Sequence, residues 1–248
     1  MASLIPGYEY DIFISYRQKD NKYDGWVTEF VENLKRELES MFKDEVSVYH
    51  DINPHDGLLE THDVDESLKK KLKCLVCIPI ISRTYCDPKS FAWKHEFEVF
   101  IDQAKNDPFG LKVTLPSGNV ANRVLPVRIH DLDLADIRLF ESAIGGILRP
   151  VDFVYKETGV NRQLRAKDDD IIKSPNQILY RDQINKVALA VKDIIESMIS
   201  LSAPSGTSAK EINAVGKSGK KDSMHEEKPP AEKQEIKEDI SSGKLPED

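Results

Sequence analysis

Residues 10–16 (YDIFISY) form a near-continuous apolar run, the pattern of a strand buried on both faces of a parallel sheet. Trp26, Phe30, Val31, Leu34, Leu38, Met41 and Phe42 then recur at helical spacing, which predicts a helix over about 23–42. Residues 46–49 are short and β-branched, a second strand. A polar helix over 65–73 leads directly into Cys74–Ile81, the third and most apolar strand. Asp87-Pro88 offers an N-cap followed by proline at the first helical position, so the next helix is expected to begin near Pro88. Trp93, Phe97, Phe100, Ile101 and Ala104 supply its apolar stripe. Residues 111–115 and 124–129, joined by the Pro116-Ser117-Gly118-Asn119 turn, read as a hairpin whose second arm is the fourth strand. Residues 151–155 read as a fifth. Ile184, Val187, Ala188, Val191, Ile194, Ile195, Met198 and Ile199 form a closing helix.

Strands alternating with helices imply βαβ units and a parallel sheet covered on both faces. The expected fold class is therefore α/β, flavodoxin-like, with five parallel strands in the order 2-1-3-4-5. Ligands of such folds bind beside the carboxyl ends of the first and third strands. The boundary lies near Ser202: residues 1–201 read as the folded domain and 202–248 as a disordered tail or linker. The tail contains no Phe, Tyr or Trp and cannot bury enough apolar area to offset its ordering entropy.

Composition narrows the chemistry. In 248 residues, 43 Asp+Glu against 35 Lys+Arg give a formal charge of -8, which argues against a nucleic-acid partner. The longest apolar run is far shorter than a membrane span and the N-terminus lacks a signal pattern, so no membrane contact is expected. Three cysteines fit a reducing cytoplasm, the expected location. The Cys74-Leu75-Val76-Cys77 spacing lies inside a strand, where residues three apart point to opposite faces, so both are read as buried strand cysteines. Gly216-Lys217-Ser218 is not a phosphate loop, because Glu211 stands where the first glycine belongs. His50-Asp51, His55-Asp56 and His62-Asp63 share one loop, whereas sites of that kind draw ligands from several helices, so no metal is expected. Ser15-Tyr16-Arg17 after the first strand and Pro79-Ile80-Ile81 ending the third lack the acids of a phospho-receiver. The charged Arg17–Asn21 loop is unlike that of a flavodoxin.

These residues resemble one family. Tyr10-Asp11-Ile12-Phe13-Ile14-Ser15-Tyr16 is similar to the opening box of a TIR (Toll/interleukin-1 receptor) domain. Val48-Tyr49-His50-Asp51 with Pro54 and Gly57 resembles its second strand and BB loop, and Trp93-Lys94-His95-Glu96-Phe97 resembles its helix C motif. Leu125-Pro126-Val127 resembles its fourth strand. The long first helix and the inserts around 105–123 and 156–178 resemble a bacterial variety. The resemblance implies an NAD glycohydrolase, with NAD as substrate, no cofactor, and Glu96 as the catalytic carboxylate. One carboxylate suffices for that reaction: nicotinamide leaves as a neutral molecule, and the developing oxocarbenium charge needs only one nearby anion. It also implies substrate contacts from Ser15, Tyr16, Arg17, Asp51 and Trp93. Arg17 has two readings, a phosphate ligand or a surface charge; Asp51 likewise, a ribose contact or a turn residue before Pro54. Glu96 is expected on a partly exposed helix flank, with Glu29, Glu32 and Glu98 as glutamates outside the motif. A second function stays open, a non-catalytic signalling module that self-associates through its BB loop (53–63).

Overall fold

The computed structural model describes residues 3–51, 64–166 and 175–202. In chain order the elements are β1 (Tyr10–Ser15), α1 (Trp26–Met41), β2 (Val48–His50), α2 (Val64–Lys71) and β3 (Cys74–Ile81). A π-helical turn (Ala92–Phe97) then runs into α3 (Glu98–Asn106), followed by the hairpin of β4 (Lys112–Thr114) and β5 (Val120–Asn122). β6 (Val127–Arg128), α4 (Leu134–Ile144), β7 (Val151–Asp152), the hairpin of β8 (Val154–Glu157) and β9 (Val160–Gln163), and α5 (Pro175–Ser202) complete the chain. The tail and BB-loop readings concern residues outside the described ones, as do His55-Asp56 and His62-Asp63.

Five strands pair in parallel in the order β2-β1-β3-β6-β7, which is the flavodoxin-like arrangement 2-1-3-4-5 counted within the sheet. Side chains alternate across β1, so Ile12 and Ile14 face one layer while Phe13 faces the other. The first layer packs α1 and α5 around Trp26, Phe30, Phe153 and Tyr180. The second packs the π turn, α3 and α4 around Trp93, Phe97, Phe100 and Phe140. Helices thus cover both faces, and none among the described residues is long and apolar enough to cross a membrane.

Four local expectations differ from the structure. The hairpin's second arm is β5, and the fourth strand of the sheet is a separate element, β6, because Val124 bridges to Cys77 before the chain reaches Val127. The fifth strand ends at Asp152; Phe153 turns into the core, and Val154–Glu157 pairs instead with Val160–Gln163. The helix after β3 starts at about Ala92, not Pro88. Asp87 spends its carboxylate on the N–H of Lys89 at 3.0 Å, and Ser90 Oγ accepts the N–H of Trp93 at 3.1 Å, the geometry of a helix N-cap. Cys74 and Cys77 lie in the same core layer rather than on opposite faces, since the Cys74 N–H turns back to Leu72 O at the mouth of β3. Both thiols are buried, and burial pushes both well above the ordinary thiol range.

Helix α4 was absent from the sequence reading. Its signals are present: Asp133 stands at the N-cap position, and Gly145 ends it with φ +63°, a left-handed conformation that glycine adopts without steric cost.

Candidate active site

Ser15 ends β1 on the same face as Phe13, so its hydroxyl points toward the helix on that side of the sheet. There it donates to Glu96 Oε2 at 2.6 Å. Ser15 Oγ also lies 2.8 Å from the hydroxyl of Tyr85. Serine has one proton, so with Glu96 ionised Tyr85 donates to Ser15 and Ser15 to the carboxylate. The chain Tyr85–Ser15–Glu96 is buried throughout, with Glu96 8% exposed and both hydroxyl residues fully enclosed. The expected partly exposed Glu96 is therefore a buried one.

The π turn places it there. The N–H of Glu98 bonds to the carbonyl of Trp93, five residues back, so the helix is locally wider than an α-helix. The buried residues recur every four positions: Ala92, Glu96, Phe100 and Ala104 in one row, Trp93, Phe97 and Ile101 in the next. In an ideal α-helix twelve residues of such spacing drift about 120° around the axis. The wide turn absorbs part of that drift, and both Glu96 and Ala104 face the sheet.

Glu96 carries a raised pKa, about 7 against an ordinary 4.5. Burial is the main cause; the Ser15 hydrogen bond opposes it, and the charge of Asp51 adds to it. Asp51 directly follows β2, and its charge also reaches Tyr16. Tyr16 packs in the α1/α5 layer and donates its hydroxyl to the main-chain oxygen of Asp51. Burial first, then the charges of Asp51 and Glu96, push its phenol up to about 12.

The sign of the Glu96 shift sets a pH dependence of stability. Between pH 4.5 and about 7 the folded chain holds a proton that the unfolded chain releases. The associated stability is complete below pH 4.5 and is lost as pH rises through about 7, a change of about 3 kcal/mol. Denaturant melts at pH 4.5 and pH 8 are expected to show that loss in the wild type and not in Glu96→Gln. Parallel curves for the two proteins would mean that Glu96 does not titrate in the folded state near 7.

The other expected residues fall in two groups. Arg17 donates to Thr84 O at 3.1 Å and lies 3.7 Å from Asp87, bridging the loops after β1 and β3 at their carboxyl ends. Trp93 lies in the core: its indole N–H donates to Glu98 Oε1 at 2.9 Å and its ring meets Phe97, Tyr85 and Phe140. Glu98, expected to be unconnected to the motif, is thus the partner of its tryptophan. Tyr85 was not anticipated. It sits four residues beyond β3 in polar text, and only the folded chain brings it to Ser15, 70 positions away.

The site thus holds one buried carboxylate, poised to ionise near neutral pH and fixed by a hydroxyl relay, with a second acid and an arginine nearby. Such a set can stabilise a developing positive charge without supplying a nucleophile of its own.

No protein-family model matches the sequence, and no curated protein sequence matches it. Among solved structures, the chain overlaps the TIR domains of the activated Roq1 resistosome recognising the pathogen effector XopQ, at 14% identity and a TM-score of 0.34. That overlap covers 77% of this chain and 99% of the other. The RPS4 and RRS1 TIR domain heterodimer is similar at 18% identity and a TM-score of 0.37, covering 73% of this chain and 98% of the other. Likenesses that distant say nothing of activity. The strand order and register define the fold: α/β, flavodoxin-like, with its buried carboxylate beside the carboxyl end of the first strand.

Proposed function

We infer that the chain is an NAD glycohydrolase of the bacterial TIR type, which releases nicotinamide and ADP-ribose or a cyclic isomer and acts as a signalling or defence effector. The observation that carries this reading is Glu96. The glutamate singled out by the helix C resemblance is the one buried against Ser15 at the ligand-binding end of the sheet.

In the proposed reaction the bond between the ribose anomeric carbon and the pyridinium nitrogen breaks, and its electron pair leaves with nicotinamide. The positive charge passes to the ribose, where the Glu96 carboxylate stabilises it. Water, or the adenine ring in the cyclic case, then adds at the anomeric carbon and gives up a proton if it is water. Ser15 and Tyr85 hold the carboxylate in place at no cost during the reaction, because their hydrogen bonds are already made. Asp51 takes a ribose hydroxyl, Arg17 meets the pyrophosphate, and Tyr16 ties the end of β1 to Asp51. Trp93 serves by packing the helix that carries Glu96.

The test is to incubate the purified full chain with NAD over a range of protein concentrations and measure nicotinamide. Several concentrations are needed because self-association through residues 53–63 belongs to the same resemblance. Cleavage is expected, with a rate that rises with pH and a midpoint near 7, as Glu96 ionises. Absence of nicotinamide at every concentration would leave the non-catalytic signalling module as the better reading.

A further inference from the structure

A second site lies at the other end of the same helix. Because α3 leads away from Glu96 toward the amino ends of β1 and β3, its later residues face α2 across a cavity of about 620 Å³. That is within the range of small-molecule sites. Leu72, Val99 and Phe100 line its interior. The floor is firm, since the Arg123 guanidinium lies 5.7 Å from the Phe100 ring and is held by Asp107 and by three main-chain carbonyls.

Two features make this more than an apolar gap. Gln103 donates its amide N–H to Lys69 O at 3.1 Å, which fixes the orientation of the amide, and leaves Oε1 buried with no hydrogen-bond partner. A buried acceptor without a donor costs free energy that a ligand N–H recovers. The rim is basic. Lys70 and Lys73 are exposed and have no carboxylate partner among the described residues, whereas Lys69 is paired with Glu66. Of the lining acids, Asp107 is engaged by Arg123, which leaves Asp102 as the one opposing charge.

We propose that the cavity between α2 and α3 binds a small aromatic anion carrying an N–H donor. Its rings lie against Leu72, Val99 and Phe100, its N–H meets Gln103 Oε1, and its anionic group sits at Lys70 and Lys73. This site is separate from Glu96 and does not depend on NAD cleavage.

Anilinonaphthalene sulfonate has all three elements, and its parent phenylnaphthylamine has the same rings and N–H without the charge. Fluorescence titration of the full chain is expected to show saturable binding of both probes at one site per chain. Reversing the two exposed lysines (K70E/K73E) should weaken the sulfonate about tenfold and leave the neutral probe within about twofold. Gln103→Leu should weaken both, and Val99→Trp, which sets an indole against the wall where the rings lie, should also weaken both. Circular dichroism verifies that each variant is folded; the lysine pair is exposed, so that arm does not depend on repacking. Sulfonate binding unaltered by K70E/K73E, or binding of either probe left unchanged by Val99→Trp, overturns the proposal.

Discussion

Glu96→Gln is expected to lower NAD cleavage about 100-fold to 1000-fold, the usual loss when one preorganised charge-stabilising group is removed. Glutamine keeps the size of the side chain, and its amide oxygen still accepts the Ser15 hydroxyl, so the substitution removes charge and little else. The fold should not suffer. Because the wild-type carboxylate is buried and its pKa raised, the variant is expected to be as stable as wild type at pH 5 and more stable at pH 8. That pairing, activity lost and stability gained, is a signature that a merely structural glutamate would not give. Glu32, exposed on α1, is the appropriate comparison. Glu98 is unsuitable because it accepts the Trp93 indole N–H, and Glu98→Gln would disturb the helix that carries the site. Equal rates for wild type and Glu96→Gln would sink the mechanism proposed here.

The largest stability effect is expected at Arg123, a cation only 1% exposed. Its guanidinium donates to Leu75 O at 2.8 Å, Cys74 O at 2.9 Å and Gly110 O at 2.9 Å, and pairs with Asp107. Its main chain joins β3 to the hairpin segment through Cys77 and Leu111. One side chain therefore ties the start of β3 to the segment preceding β4. Arg123→Met takes the guanidinium from three carbonyls and leaves Asp107 without its cation, and breaking a buried ion pair from one side costs about 3–5 kcal/mol. For a domain of this size that is a fall in melting temperature of roughly 10 °C. The double variant Arg123→Met with Asp107→Asn should recover part of the loss, since no carboxylate is then stranded and the amide oxygen still accepts the N–H groups of Phe109 and Gly110. A drop below about 1 kcal/mol for Arg123→Met would show that water or a neighbouring donor replaces the guanidinium.

The sheet was most legible at β1 and β3, which are buried on both faces. The text of Cys74–Ile81 is apolar throughout, and the strand has those same bounds in the structure. Period-two alternation in β1 also put Ser15 on the face of Phe13, so the direction of its hydroxyl was readable before its partner was known. Three things were not readable. Arg123 stands in a polar stretch where a surface charge and a buried staple look the same, because burial of a charge depends on distant carbonyls. Tyr85 becomes part of the site through one contact made across the sheet. The start of the helix after β3 was misplaced because Asp87-Pro88 and Ser90 both offer capping chemistry, and their competition is settled by where Trp93 must pack. The expected stripe of Trp93, Phe97, Phe100, Ile101 and Ala104 leaves out Ala92 and Glu96, whose four-residue recurrence with Phe100 and Ala104 is the mark of the wide turn.

That wide turn has an evolutionary reading. A π turn is a helix carrying one residue beyond what α-helical bonding requires. An extra residue of this kind is absorbed inside the turn, so the helix behind Trp93 and the helix ahead of Glu98 both keep their seats on the sheet. A lineage can therefore gain or lose one residue here without repacking the core layer on either side of the turn.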